Sequence, residues 1–564
     1  MARREGGARR PSGRQGDARR AGGRGQASRE RDVRRAGGRG HDARRADGLR
    51  GASAARVAAA DLVREVRARD GRVKDIARRS ATLAGLPARD RDLAMRLACG
   101  VVATSGRLDE VLGSHLRGRS HLEPRVRDAL RVSCFELLYL STPASAAVDQ
   151  GVELVRSCAP RAAGLANAVL RRVAEQDRPR VEAARRRTEE AAGEGAAVEA
   201  AATAAAAVDT GTESQEGPAA AGEGDLADLV LVSGLPAWLV RGLVGAVGLP
   251  AARRVCLDEL EPAPVYVRAN PMALSPEGAP ARLKEVGLGP RRVEDTDVYL
   301  LERPGALASS GLVKEADVVP ADLAAQLVSC VAAPRPASSV LEVGQGRGTK
   351  SLLLEAAALA GGGAADILGV DSEEFKCRLS RRRMEAARLD GHVSSLVLDA
   401  RELGGKEPPA GVEAAYDLVF VDAPCSGTGT MRRHPEIARS LARASVEPVE
   451  QGAPVEQGAP GSLPVLQLQI LAAAAARVRP GGELVYATCS FLPQENRGVV
   501  DAFLASSEGA GFELAPVCDA WGVRQMGEGG QRLVRSFSDG GFLLSVTGKW
   551  PCDLHFCARM VKCA

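Results

Sequence analysis

The chain has 564 residues and a formal net charge of +5, with 45% hydrophobic but only 3% aromatic residues. That length suits several domains with cores built from Leu, Val and Ala. No run of about eighteen apolar residues argues for a membrane span, and the Arg-rich start lacks the apolar stretch of a secretory signal.

Residues 1–50 carry sixteen Arg against six acids and repeat "DARRAGGRG" imperfectly. This composition predicts a disordered Arg/Gly-rich arm over 1–51, suited to a polyanion such as RNA or serving only as a solubilising tail. Residues 52–176 show helical spacing, with Leu62, Val63 and Val66 on one face and basic residues on the polar faces. A helical, RNA-binding domain is expected there. Residues 188–228 hold ten acids and no Lys or Arg, so 177–228 is expected to be an acidic Ala/Glu-rich linker whose start extends the last helix. Residues 229–320 predict a small α/β connecting and RNA-binding module, with "PVYVRANPM" as a strand ending at Asn270.

From residue 321 to 550 strands and helices alternate. The runs "SSVLEV", "ADILGVD", "VSSLVLDA", "YDLVFVDAP" and "GELVYATCS" predict five strands, and "GGFLLSVTGK" an edge strand. The fold class is therefore multidomain α + α/β, with an open, doubly wound, mostly parallel sheet. The tandem "VEQGAPVEQGAP" at 449–460 predicts a looped insertion. Residues 551–564 are expected to be a C-terminal tail. Its Cys552, His555, Cys557 and Cys563 come nearest to a metal pattern, but no partner cluster is evident and no metal is assigned. The twelve cysteines fit reduced thiols in the cytoplasm better than a disulfide framework.

In "VLEVGQGRG", Glu342 lies near a strand end and Gly344, Gly346 and Gly348 occupy the following turn. Glycines there admit close approach of a ligand to the backbone. Asp371 ends the next strand, where a carboxylate can accept ribose hydroxyl protons. Asp399 ends the third, where it can meet an adenine edge; either Asp can instead cap a helix. "GQGRGTKS" lacks the spacing of a phosphate-binding loop. Lys350 is either structural or near a cofactor carboxylate. S-adenosyl-L-methionine suits this pocket better than NAD, because two late cysteine motifs have no evident part in hydride transfer.

Those cysteines are Cys425, in "DAPCSGTGTMRRHPEI", and Cys489, in "YATCSFLPQEN". Each closes a strand-like run, at the sheet edge where chemistry gathers. The pair points to group transfer through a covalent enzyme intermediate. The two motifs, with "LANAVLRRV" and "SGLPAWLVRGLV", resemble the bacterial ribosomal RNA cytosine-5 methyltransferases that carry an N-terminal NusB-like domain and a Rossmann-like catalytic domain. By domain arrangement the resemblance is to enzymes acting on cytosine 967 of 16S ribosomal RNA.

The resemblance implies that Cys489 attacks cytosine C6, that Cys425 assists release of the methylated base, and that Asp422 meets the cytosine amino edge or N3 region. Pro424 would shape the turn. It also implies cofactor contacts from Glu342, Gly344, Gly346, Gly348, Lys350, Asp371, Asp399 and Asp422. The implied partner is 16S ribosomal RNA in an unassembled or partly assembled small subunit, with no membrane and no obligate protein partner. Two departures stand out: "GQGRGTKS" replaces the family's "CAAPGGKT", and the His that usually opens the family segment resembling "SFSDGGFLLSVTGK" is missing. Arg432, Arg433 and His434 are expected to contact phosphates or bases, or to be ordinary charged surface. Asn270 is expected to position the cofactor or close its strand turn. Two alternatives remain: the same reaction on transfer RNA or another ribosomal site, and a non-catalytic RNA-binding assembly factor.

Overall fold

The computed structural model describes residues 51–116, 122–206, 222–443 and 463–563, with the backbone alone for 194–206 and 442–443. Residues 1–50 of the expected arm, residues 207–221 of the expected linker and the duplicated insertion lie outside the described residues, while the last residues of that linker begin helix Glu223–Ser233.

The N-terminal domain is all helical. Helices Ala54–Arg69, Ala88–Ala103, Pro124–Tyr139 and Ala144–Cys158 supply most of its core. Leu62, Val63 and Val66 are buried together, as their spacing on one helical face requires. Phe135 is the largest fully buried side chain of this aromatic-poor core and packs beside Tyr139.

Helix Arg178–Ala206 occupies much of the segment expected to be a linker. The side chains on its buried face are small, which hides the apolar stripe in the sequence. Val181, Ala184 and Thr188 nonetheless lie on one face and are buried. The helix packs against Glu223–Ser233 and Ala237–Asp258. Small side chains let helices approach closely, so the stripe suffices for packing. Among the described residues no single helix is long and apolar enough to cross a membrane.

A four-stranded antiparallel sheet follows. It contains β1 (Tyr266–Ala269), β2 (Pro290–Arg292), β3 (Val298–Leu301) and β4 (Val318–Pro320), in the order β2-β3-β1-β4. Asn270 ends β1 and is buried. Its side-chain amide donates to the carbonyls of Ala316 and Ala387 at 3.0 Å each, and its oxygen accepts from the Met272 N–H at 3.2 Å. It closes the turn and ties this module to the main domain.

The main sheet has parallel strands β5 (Ser339–Val343), β6 (Asp366–Asp371), β7 (Val393–Val397), β8 (Tyr416–Asp422) and β9 (Val478–Thr488). Their order, β7-β6-β5-β8-β9, reverses direction beside β5. Helices cover both faces, so Val340, Leu341, Val419 and Phe420 are all buried on consecutive positions. The reversal opens a crevice at the carboxyl ends of the strands, where ligands bind in sheets of this kind.

The expected tail is instead part of this sheet. After β10 (Phe512–Leu514), β11 (Ser538–Asp539) and β12 (Phe542–Leu544), strand β13 (Phe556–Lys562) inserts antiparallel between β9 and β12. Arg559 interrupts its apolar pattern and conceals the strand in the sequence. The Arg559 guanidinium is buried only because Glu483 on β9 accepts from it at 2.8 and 2.9 Å. Cys552, His555 and Cys557 are buried in this part of the chain, while Cys563 is exposed. Burial, with Lys350 and Arg433 adding to it, lowers the His555 pKa to about 3 and keeps the ring neutral. Among the described residues no group of three His, Cys, Asp or Glu side chains is arranged to hold a metal ion.

Candidate active site

Two loops at the crevice carry the candidate cysteines, one after β8 and one after β9. They bring Cys425 and Cys489 together, with 3.3 Å between the sulfurs. Their hydrogen bond lowers the Cys489 pKa, and the Lys350 ammonium adds to this against burial and the Asp422 carboxylate. The same bond, with burial, raises Cys425. The pair therefore favours one thiolate, on Cys489, with Cys425 donating to it.

Backbone hydrogen bonds join the two loops. Gly429 N–H donates to the Cys489 carbonyl at 2.9 Å, and Leu554 N–H donates to the Gly429 carbonyl at 3.0 Å. The Thr428 and Ser490 hydroxyls lie 3.0 Å apart, and Thr428 accepts from the Phe491 N–H at 3.2 Å. Behind the loops, Met431, Phe491, Leu492 and Leu554 share an apolar cluster with Leu239, Val240 and Leu243 of the connecting helix.

Lys350 Nζ lies 2.6 Å from Asp422 Oδ2. Asp422 lines the cofactor cavity, whereas Lys350 reaches the site from behind as its counter-ion. Burial works against the ammonium, but Asp422 holds the Lys350 pKa above its ordinary value.

A cavity of about 340 Å³ adjoins the cysteine loops, lined by residues including Gly344, Gly346, Asp371, Asp399, Asp422 and Pro424. Gly344 has φ +81°, and a Cβ there would lie 2.3 Å from the Asp422 carbonyl oxygen. Gly346 has φ +61°, and a Cβ there would meet only the Gly344 carbonyl oxygen, at 3.9 Å, so a ligand can lie against its backbone. Asp371 accepts from the Gly346 N–H at 3.0 Å and the Glu373 N–H at 2.9 Å. Its carboxylate is thus held at the cavity wall. Asp399 accepts from the Arg401 N–H at 3.0 Å and pairs with that guanidinium. It caps a short turn while lining the cavity.

Three of the expected cofactor residues do not line the cavity: Lys350, Glu342 and Gly348. Glu342 is fully buried and accepts from the Ser351 hydroxyl. Burial raises its pKa to about 8. Gly348 opens helix Thr349–Ala360 and packs against Ser380 and Met384. Glu342 and Gly348 therefore shape the loop from outside the cavity.

Arg432 and Arg433 are internal rather than RNA-facing. Arg432 donates to the Pro262 carbonyl at 2.9 Å and pairs with Asp258 at 3.3 Å. Arg433 joins Asp553 at 2.7 Å and Asp322, and donates to the Pro264 carbonyl at 2.9 Å. His434 lies 3.4 Å from Glu436 and is partly exposed. These partners are far away in sequence, so the arginines look like a basic patch until the chain is folded. Sequence reasoning also missed Gln467 and Glu495, which hold the main chain on either side of Cys425. The sequence signals were that Gln467 stands in an otherwise apolar helix and that Glu495 lies within "YATCSFLPQEN".

The sheet order, the glycine turn and the carboxylate-lined cavity define the fold of an S-adenosyl-L-methionine-dependent methyltransferase. The Gly346 backbone at the cavity wall and the held Asp371 carboxylate fit an adenosine-bearing cofactor. Residues 329–539 match the 16S rRNA methyltransferase RsmB/F family, and residues 53–175 match the NusB family. The ribosomal RNA small subunit methyltransferase B of Thermus thermophilus is 30% identical over 442 residues, covering 78% of this chain and 84% of that protein. The Salmonella typhi protein of the same name is 30% identical over 294 residues. There the match spans 52% of this chain and 62% of the relative, less than two thirds of its length. The crystal structure of PH0851 shares the fold, with TM-score 0.61 and 18% identity, over 90% of this chain and 98% of that one. The chain belongs to the ribosomal RNA small subunit methyltransferase B family.

Proposed function

We propose that this protein methylates C5 of a cytosine in 16S ribosomal RNA, at the position numbered 967, through a covalent bond between Cys489 and C6. It would act in the cytoplasm on an unassembled or partly assembled small subunit. The observation that carries this reading is the 3.3 Å contact between two thiols, one ionised more readily than the other, beside the cofactor cavity.

Cytosine C5 is a weak nucleophile. Attack of the Cys489 thiolate on C6 pushes an electron pair towards C5 and makes it enamine-like. S-adenosyl-L-methionine supplies the electrophilic methyl group when bound in the cavity. Gly344, Gly346, Asp371 and Asp399 would hold it, while Asp422, fixed by Lys350, meets the amino edge or N3 region of the base. The target must leave any stack to present C6.

Release needs a base. Once the Cys489 sulfur is bonded to C6, the hydrogen bond and charge that raise the Cys425 pKa are gone. Cys425 then gives its proton to water and, as a thiolate, takes the proton from C5. The freed electron pair restores the C5–C6 double bond, and the Cys489 sulfur leaves as a thiolate. The pair returns to its starting state, and one proton has been released for each methyl transferred.

The test is methyl incorporation into 16S rRNA together with bisulfite mapping of the modified cytosine. Cys489→Ala should abolish incorporation with the fold retained. Cys425→Ser should accumulate a denaturation-resistant enzyme–RNA adduct. Undiminished turnover by Cys489→Ala would reject the mechanism.

A further inference from the structure

Cys425 is held from both sides by side chains of two other elements. Gln467, on helix Leu463–Ala475, donates to the carbonyl of Pro424, the residue before it, at 2.8 Å. Glu495, in the turn after β9, accepts from the N–H of Ser426, the residue after it, at 2.9 Å. The side chains of Ser426, Ser490 and Gln467 lie around the same carboxylate. Tyr486 in turn donates to the Glu495 carbonyl at 2.7 Å and anchors the turn.

Both holding residues are almost completely buried, at 0% and 1% exposure. Burying a carboxyl and an amide is costly, and apolar residues would fill the same volume more favourably. The Gln467 side-chain oxygen also has no hydrogen-bond partner. Neither residue is accounted for by the cofactor cavity, whose lining includes neither. What they share is the backbone on either side of one thiol.

We infer that Glu495 and Gln467 are positioning residues for the release half of the reaction, clamping the Cys425 loop so that its thiol reaches the C5 proton of the methylated adduct. The inference rests on the mechanism proposed above. Attack by Cys489 needs Cys425 only as a hydrogen-bond partner, a contact that tolerates some displacement, and methyl transfer does not involve it. Proton removal needs the clamp, because small errors in placement are costly for a group that must meet one hydrogen.

The test compares Gln467→Met and Glu495→Met with Cys425→Ser, on the full chain with a 16S rRNA transcript. Gln467→Met deletes the bond to Pro424 at similar volume. Glu495→Met deletes the acceptor for Ser426, whereas Glu495→Gln keeps it and should turn over within about threefold of the parent. In the two Met variants the first turnover of methyl transfer should stay within about threefold of the parent, while steady-state turnover falls roughly tenfold or more and adduct accumulates. Adding Cys489→Ala should abolish the adduct. A merely structural role would slow both phases together, with no adduct, and that outcome for either folded variant overturns the inference. If Cys425→Ser itself traps no adduct, the proposed role of Cys425 fails and the clamp with it. If Cys425→Ser traps adduct and the clamp variants do not, only the clamp fails.

Discussion

Lys350 and Asp422 are 72 residues apart in the chain, yet their charged atoms are 2.6 Å apart at the floor of the site. The carboxylate offsets the burial of the ammonium, and the ammonium fixes the carboxylate's direction and lowers the pKa of the Cys489 thiol. One ion pair thus connects the cofactor cavity to the proposed nucleophile.

Lys350→Met should therefore raise the pKa of Cys489. Removing a nearby cation disfavours the thiolate, and a shift of about one pKa unit corresponds to about 1.4 kcal/mol. The pH midpoint for alkylation of Cys489 by iodoacetamide should move upward, and turnover at neutral pH should fall roughly tenfold. An unmoved midpoint would show that the ammonium does not act on the sulfur.

Asp371→Ala should weaken cofactor binding without unfolding the domain. It removes the acceptor that holds Gly346 N–H and faces the cavity. Hydrogen bonds to a charged group contribute about 1.5–3 kcal/mol, so affinity for S-adenosylhomocysteine should fall on the order of 10–100-fold by calorimetry.

Stability should fall as the pH rises from 5 to 8. Glu342, with its pKa raised to about 8 by burial, stays protonated in the folded chain while its unfolded counterpart ionises near 4.5. The folded state then binds the extra proton, so its advantage is complete below the unfolded pKa and is lost as pH rises through the folded value. Glu259 at about 8 and Asp553 at about 7 act in the same direction. Glu342→Gln should remove about 1–3 kcal/mol of this fall, measured by urea unfolding at the two pH values.

Gly429→Ala should be severe although it adds one methyl group. The new Cβ would lie 1.8 Å from the Leu554 carbonyl oxygen and 3.0 Å from that of Cys489. Both are backbone atoms and cannot step aside by a rotamer change. Overpacking of this kind typically costs about 1–3 kcal/mol or more. The melting temperature should drop and methyl transfer should be lost, because the bridge between the two cysteine loops would open.

Local pattern made much of the fold legible. The apolar runs of β5 to β9 and their glycine or cysteine endings depend on neighbours in the chain, so strands, turns and site-bearing loops could be placed in advance. Arg559 shows the limit. A buried guanidinium spoils the pattern of β13, and its partner Glu483 is known only from strand register. Arg432 and Arg433 show it again, since carboxylates and carbonyls from distant segments turn an apparent RNA-facing cluster into internal braces.

By itself the sequence determined the strands β5 to β9, that two thiols would close two of them, and that a glycine turn would follow β5. These follow from side-chain periodicity and from the backbone freedom of short motifs. Only the tertiary structure decided which thiol is the more acidic, that Lys350 serves Asp422, and that Gln467 and Glu495 grip the loop around Cys425. Charge and hydrogen bonding act over a few ångströms, and the chain brings those groups that close only when the sheet has assembled.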